Sequence, residues 1–182
     1  MAIEVEIKAW VEEVDRLREN IQAIAEFQNS YEKRDTYFSC SRQDTPLFRI
    51  RREAETNTVN YKQKERADGI EVNREYEFQV DDAEAFINFC EYLEYKVYIE
   101  KHKQGELYTF ENVGIELSLV EGLGWFVEIE ILVDHQSKVT PARNKLREVL
   151  QALSVPENKI EPRYYYELLE EKFFMGNKDG NY

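Results

Sequence analysis

Charged side chains recur at a spacing of two residues in several segments of the chain. Glu4, Glu6 and Lys8 form the first such set, and Val5 and Ile7 occupy the positions between them. Successive side chains of a β-strand point to opposite faces, so this segment predicts a strand with one apolar and one charged face. Carboxylates are the hard oxygen ligands that Mg²⁺ and Mn²⁺ prefer, whereas an ammonium group attracts anions.

Further pairs with this spacing are each of one sign. The basic pairs are Arg49 and Arg51, Lys62 and Lys64, and Lys101 and Lys103; the acidic pairs are Glu75 and Glu77, and Glu128 and Glu130. Each charged face, taken alone, is typical of the solvated side of an ordinary sheet. Taken together, faces of a single sign favour an interior in which opposite charges or a bound anion neutralise the basic groups.

A polyphosphate carrying a divalent metal ion would satisfy both sets of charges. The guanidinium fork of Arg suits phosphate oxygens, and Lys supplies a point charge. Neither the GxxxxGK[ST] nor the GxGxxG pattern occurs in the chain. Phosphate binding would therefore depend on side chains rather than on backbone amides of a glycine-rich loop.

Composition narrows the range of partners. The 182 residues suit one domain with its own core. Acidic residues outnumber basic ones by 37 to 24, giving a net charge of −13, which disfavours nucleic acid and anionic membranes as partners.

Cys40 and Cys90 are too far apart in sequence to suggest a zinc site or a disulfide framework. With no signal-peptide pattern and no apolar run of transmembrane length, we expect a cytoplasmic protein.

Hydrophobic periodicity and turn residues predict the elements that would position the charged faces. The predicted helices are 11–27, from the N-cap pair Asp81-Asp82 to about 93, 140–153 and 163–174. The predicted strands are 1–10, 31–39, 47–55, 58–66, 70–80, 95–103, 106–110, 113–120 and 125–133. Residues 42–46 are expected to form a polar loop, 67–69 a turn, and 176–182 a flexible tail.

These elements predict an α+β protein in which antiparallel hairpins dominate. About eight long strands would best remove their edges by closing into a barrel. The helices would cover the apolar outer face, so the charged faces would point inward.

The ordered set of motifs resembles the CYTH superfamily, the triphosphate tunnel metalloenzymes. Its N-terminal ExExK motif is similar to Glu4–Lys8, and its RxR strand to Arg49–Arg51. The other matching segments are Asp35–Phe38, Tyr61-Lys62, Arg74–Glu77, Lys101–Lys103, Val120–Glu130 and Tyr165–Leu169. The match covers nearly the whole chain and most resembles the class IV adenylate cyclase-like branch, which implies a single CYTH domain over residues 1–175.

The resemblance implies an eight-stranded antiparallel tunnel, Mg²⁺ or Mn²⁺ as cofactor, and a triphosphate such as ATP, tripolyphosphate or thiamine triphosphate as substrate. Five basic residues would be catalytic and bind phosphates: Lys8, Arg49, Arg51, Lys62 and Lys101. Lys103 and Arg163 would be additional substrate-binding residues. Glu75 and Glu77 would line the tunnel, and the metal ligands would be Glu4, Glu6, Glu128 and Glu130. Some members of the family are dimers, so a homodimer is left open.

Two positions depart from the family pattern. Ser118 stands where members commonly have Asp, and Lys103 stands where they often have Arg. Ser118 shares a strand face with Glu116, so we expect it to face inward. Three functions stay open: a class IV adenylate cyclase-like enzyme, an inorganic or thiamine triphosphatase, and a non-catalytic module that binds triphosphate or polyphosphate. A purely structural barrel without an anion site is the fourth interpretation.

Overall fold

The computed structural model describes residues 2–41, 45–67 and 69–178, except the side chains of 64–67 and 174–178. The strands are β1 (Ile3–Trp10), β2 (Glu26–Ser39), β3 (Phe48–Glu53), β4 (Thr56–Ala67), β5 (Ile70–Gln79), β6 (Lys96–Phe110), β7 (Val113–Val120) and β8 (Gly124–Val133). The helices are α1 (Val14–Ile24), α2 (Ala83–Tyr92), α3 (Val139–Ala152) and α4 (Tyr165–Lys178). Short 3₁₀ turns, Gln136–Lys138 and Glu157–Lys159, precede and follow α3.

The described strands form one closed antiparallel barrel in the order β1-β5-β4-β3-β2-β6-β7-β8. The first strand closes it, because Ile3 lies opposite Arg74 of β5 on one side and Val133 of β8 on the other. Closure leaves no free strand edge. The prediction of an α+β fold built on an eight-stranded antiparallel barrel is confirmed.

The prediction of separate strands at 95–103 and 106–110 is wrong, because β6 is continuous through Gly105. Glycine has a packing role there. A Cβ at position 105 would lie 2.5 Å from the backbone oxygen of Leu117 and 2.8 Å from Cβ of Ser118. Gly105 therefore lets β7 approach β6 closely and does not mark a turn.

The long strand β6 also explains why β2 starts earlier than predicted. Residues from Glu26 onward pair with its far end, Glu26 lying opposite Thr109 and Phe27 opposite Tyr108. The helix predicted within 11–27 therefore ends at Ile24. At the other terminus, α4 begins at Tyr165 and continues through Lys178, so part of the expected tail is helical. Flexibility of the tail stays a prediction, since residues 179–182 lie outside the described residues, as do 42–44 of the expected loop and Asp68 of the turn.

The main hydrophobic core lies outside the barrel, between the sheet and helices α1 and α3. Ile3, Val5 and Ile7 of β1 belong to it together with Ile21 of α1 and Leu146 of α3. Complete burial of one aliphatic side chain of this size contributes about 1.5–3 kcal/mol. A shift of β1 by one residue would turn these apolar groups inward and the charged groups toward the helices, so the core fixes which face points inside.

Two smaller clusters complete the outer cover. One lies under α2 and contains Phe38, Ile50 and Cys90. The other lies under α4 and contains Phe126 and Tyr165. Among the described residues, no helix is both long and apolar enough to cross a membrane.

Candidate active site

A cavity of about 260 Å³ is lined by the inward faces of the strands. Most of its lining is charged, as the alternation of charged and apolar residues along the strands predicts. The basic lining residues are Lys8, Lys33, Arg49, Arg51, Lys62, Lys101 and Lys103, and the acidic ones are Glu4, Glu6, Glu71, Glu75, Glu116, Glu128 and Glu130. Aromatic side chains, among them Tyr37, Tyr61 and Tyr164–Tyr166, complete the wall.

Asp35 of β2 organises the guanidinium groups on one side of the cavity. The residue is 1% exposed, and its carboxylate accepts hydrogen bonds from Nε of Arg51 at 2.8 Å and from Nη1 of Arg49 at 3.2 Å. The ammonium group of Lys101 lies 2.9 Å from the same carboxylate. Burial raises the pKa of Asp35, but the charges of these three cations overcome it and hold this pKa well below its usual range.

Glu4, Glu6 and Glu130 form an acidic cluster on the opposite side. Glu6 lies directly opposite Glu130 in the pairing of β1 with β8, and Glu4 is two residues away on the same face. One carboxylate oxygen from each of the three residues lies within 4.8 Å of the others. Three oxygen donors at this separation suit a hard divalent cation such as Mg²⁺ or Mn²⁺.

The protonation of this cluster reflects the crowding of its negative charges. Burial and repulsion from Glu71 and Glu4 raise the pKa of Glu6 to about 8. Burial and repulsion from Glu4 and Glu116 raise the pKa of Glu130 to about 7. Burial also acts to raise the pKa of Glu4, but the ammonium group of Lys62, 2.7 Å away, lowers it to about 2. A divalent cation would relieve the repulsion, so the residues fit a metal ion.

Glu128, the fourth predicted metal ligand, is not part of the acidic cluster. Its carboxylate contacts the ammonium group of Lys103, which also binds Glu116 of β7. Glu116 accepts two further hydrogen bonds, from Nζ of Lys33 at 2.8 Å and from the hydroxyl of Tyr31 at 2.7 Å. Burial, together with repulsion from Lys33, lowers the pKa of Lys103 to about 8 despite the attraction of Glu116.

Two predicted substrate-binding residues are not among the residues that line the cavity. The side chain of Glu77 is exposed and accepts a hydrogen bond from Asn60 at 2.8 Å. The guanidinium group of Arg163 binds Glu161, with Nε 2.8 Å from Oε1, and also binds Glu171. Their predicted roles find no support in this arrangement.

Sequence reasoning missed two charged residues of the lining, Lys33 and Glu71. The signal was present, because Lys33 alternates with Asp35 along β2, and Glu71 alternates with Glu75 along β5. Ser118, which was expected to face inward, is buried on the same strand face as Glu116. It is not among the residues that line the cavity.

The class of this protein is defined by a closed antiparallel barrel whose interior combines basic side chains with a cluster of carboxylates. The chain belongs to the CYTH domain family, whose model matches residues 2–165.

Individual relatives and solved structures are similar to this chain over most of its length. The chain is 26% identical over 171 residues to a provisionally named adenylate cyclase of Methanocaldococcus jannaschii, covering 91% of this chain and 98% of the relative. The solved structure of the PH1819 protein of Pyrococcus horikoshii is similar at 31% identity and a TM-score of 0.81, covering 93% of this chain and 99% of that one. The PH1012 protein of the same organism is similar at 28% identity and a TM-score of 0.81, over 91% and 98% of the two chains.

Proposed function

We propose that the protein is a divalent-metal-dependent enzyme that acts on a triphosphate held inside the barrel. The observation that carries this proposal is the cavity itself, where seven basic side chains share the lining with the cluster of Glu4, Glu6 and Glu130. Membership of the CYTH family supports an enzymatic role and a small triphosphate substrate.

The balance of charges explains why a metal ion and the triphosphate would bind together. The cavity lining holds as many acidic as basic side chains, and Asp35 neutralises part of the basic set from behind. A triphosphate alone would add several negative charges to an interior whose positive and negative charges already balance. Glu4, Glu6 and Glu130 would hold Mg²⁺ or Mn²⁺, which supplies Lewis acidity toward a phosphoryl oxygen when bound.

The basic residues would bind and orient the phosphates, as phosphoryl and nucleotidyl transfer require. Lys8, Arg49, Arg51, Lys62 and Lys101 all line the cavity and would serve as the catalytic cations, with Lys103 as a further phosphate ligand. Independently of the metal ion, these basic residues would stabilise the negative charge that accumulates on the phosphoryl oxygens. Glu75 contacts Lys62 and would orient its ammonium group.

The reaction that we propose first is adenylate cyclisation, because a relative of nearly the same length is provisionally named an adenylate cyclase. In this reaction the ribose 3′-oxygen forms a bond to the α-phosphorus. The bond from that phosphorus to the bridging oxygen breaks, pyrophosphate leaves, and the 3′-hydroxyl proton passes to a base. The products are cyclic AMP and pyrophosphate.

Hydrolysis of a triphosphate, with water as the nucleophile, is the second candidate. It is favoured by the shortage of groups that could recognise a purine base. Among the described residues lining the cavity, Asn60 carries the only carboxamide, and its amide donates to Glu77 at 2.8 Å. An inorganic triphosphate has no base to be recognised, and thiamine triphosphate carries no purine.

Product analysis would separate these activities. The purified protein would be incubated with ATP, tripolyphosphate or thiamine triphosphate and with Mg²⁺, Mn²⁺ or EDTA, and products followed by ³¹P NMR. We expect metal-dependent turnover, and we expect Lys62→Met to lower it at least tenfold because a buried phosphate ligand is lost. Lys138→Met, at an exposed ion pair with Asp134, is the matched control.

Each remaining outcome supports a different conclusion. Turnover of no substrate with either metal would refute the enzymatic proposal, and tight tripolyphosphate binding without turnover would indicate a non-catalytic module. If the protein is such a module, we expect the Ser118→Asp variant to gain activity. Equal tripolyphosphate affinity of the wild type and the Lys62→Met variant would refute an anion site at this position altogether.

A further inference from the structure

Tyr165, the first residue of α4, is a part of the cavity wall that no strand supplies. Its side chain lines the cavity although the residue is only 7% exposed. The ring packs edge-on against Phe126 of β8, with centroids 5.0 Å apart and planes at 90°. Leu168, one turn later in α4, belongs to the same apolar cluster. Packing therefore fixes where the Tyr165 ring lies.

The hydroxyl of Tyr165 is buried and finds no hydrogen-bond partner within the described part of the chain. Other buried tyrosines behave differently. The hydroxyl of Tyr31 donates to Glu116 at 2.7 Å, and that of Tyr108 donates to Glu106 at 2.6 Å. An unsatisfied buried hydroxyl costs about 1–3 kcal/mol. A partner that arrives with a ligand would recover this cost.

The surroundings of the Tyr165 ring indicate the charge of that partner. The ammonium nitrogens of Lys8, Lys101 and Lys103 lie 4.7, 4.8 and 5.7 Å from the ring centroid. Ammonium groups only donate hydrogen bonds, so they cannot accept one from the phenol. An anionic oxygen among them could accept from the lysines and from the phenol together.

The phenol is also in the correct protonation state for donation. Burial, followed by the negative charges of Glu6 and Glu116, raises the pKa of Tyr165 well above its usual value. The hydroxyl therefore keeps its proton throughout the physiological range.

We infer that Tyr165 is a phosphate-binding residue, whose hydroxyl donates a hydrogen bond to an anionic oxygen of the triphosphate held by Lys8, Lys101 and Lys103. This inference rests on the proposed function, because it requires that the cavity bind a triphosphate. It makes the C-terminal helix a contributor to substrate binding as well as a cover of the barrel.

The test removes the hydroxyl and keeps the ring. Tripolyphosphate with Mg²⁺ would be titrated calorimetrically into the full chain at low temperature, and ³¹P NMR of the same sample would establish that the ligand is intact. Because a hydrogen bond to a charged oxygen is lost, we expect Tyr165→Phe to weaken binding by about tenfold or more. Tyr108→Phe, a buried tyrosine outside the cavity lining, should bind like the wild type.

Thermal unfolding of the same variants distinguishes binding from a structural role. Tyr165→Phe removes an unsatisfied hydroxyl, so its melting temperature without ligand should equal or exceed that of the wild type. Tyr108→Phe should melt lower because it loses the bond to Glu106. Wild-type affinity in Tyr165→Phe would overturn the inference and leave the proposed function standing. Absence of binding by the wild type would overturn both.

Discussion

At the scale of single residues, Asp35 is a buried carboxylate that neutralises three cations of the site. Its carboxylate is the shared partner of Arg49, Arg51 and Lys101 and lies behind the cavity wall. Without it, three cations would face one another in a buried space. For the proposed function, Asp35 would therefore be a positioning residue, which holds these three cations apart and directs them toward the cavity.

Replacing Asp35 by Asn should therefore be strongly destabilising. Breaking a buried ion pair by removing one partner costs about 3–5 kcal/mol, because the remaining charge is left uncompensated. Urea unfolding of Asp35→Asn should show a loss of this size. Added tripolyphosphate should restore part of the stability, since it supplies replacement negative charge.

The control is Asp134→Asn, which removes a carboxylate from an exposed pair with Lys138. Water and salt screen exposed ion pairs, which therefore contribute little to stability, so this variant should unfold like the wild type. A loss below about 1 kcal/mol in Asp35→Asn would contradict the role given to this carboxylate.

Sequence reasoning was most reliable for site residues that lie within strands. Alternation along a strand predicts which side chains share a face, and this predicted that Lys8, Arg49 and Lys62 face inward. Alternation does not predict how far along the barrel the cavity extends. It therefore also predicts Glu77 as a lining residue, although Glu77 is exposed. Arg163 precedes a helix and lies in no strand, so no periodicity fixes its direction.

At the scale of elements, α2 shows how a local signal fixes a boundary. The prediction of an N-cap at Asp81-Asp82 is confirmed, because the carboxylate of Asp82 accepts a hydrogen bond from the backbone N–H of Ala85 at 3.0 Å. This bond satisfies one of the free N–H groups in the first turn. The helix covers the cluster of Phe38, Ile50 and Cys90.

Replacing Asp82 by Ala should lower the free energy of unfolding by about 1 kcal/mol because the cap is lost. Chemical denaturation would measure the change. Asp81→Ala is the control, as Asp81 is exposed and offers its backbone oxygen, rather than its side chain, to Asn57. An equal effect of both substitutions would show that general charge, and not capping, is responsible.

Long elements were harder to delimit than short ones. A glycine such as Gly105 often marks the end of a strand, but here it allows β6 and β7 to approach closely. This role is visible only when the partner strand β7 is known. The limits of α1 and β2 depend on pairing with the distant end of β6. Local propensity cannot report such long-range partners.

At the scale of the whole molecule, the buried carboxylates should make stability depend on pH and on metal. Glu6 and Glu130 have native pKa values of about 8 and about 7, above the usual 4.5. The native state therefore binds more protons than the unfolded state between pH 4.5 and 8, and stability falls as pH rises through this window. Asp35 and Glu4 have lowered pKa values, so their stabilisation is lost as pH falls through the acid range.

We therefore expect the metal-free protein to be most stable at about pH 5 and less stable at pH 8. Melting temperatures in EDTA across this range would measure the trend. Excess Mg²⁺ should stabilise the protein more at pH 8 than at pH 5, because protons no longer compete for the carboxylates. Glu6→Gln should flatten the decline in EDTA, whereas a stability that rises from pH 5 to pH 8 in EDTA would contradict the prediction.

The pairing of β1 with β8 has a consequence for folding during synthesis. Ile3 pairs with Val133 and Trp10 with Phe126, so β1, the first strand of the barrel to be synthesised, can form these pairs only after β8 has been made. Pairings over such long sequence separations form slowly. Glu6 and Glu130 face each other across this seam, so the acidic cluster is assembled in the step that closes the barrel. The proposed affinity for divalent cations is thus expected to appear in a nascent chain only after β1 has paired with β8.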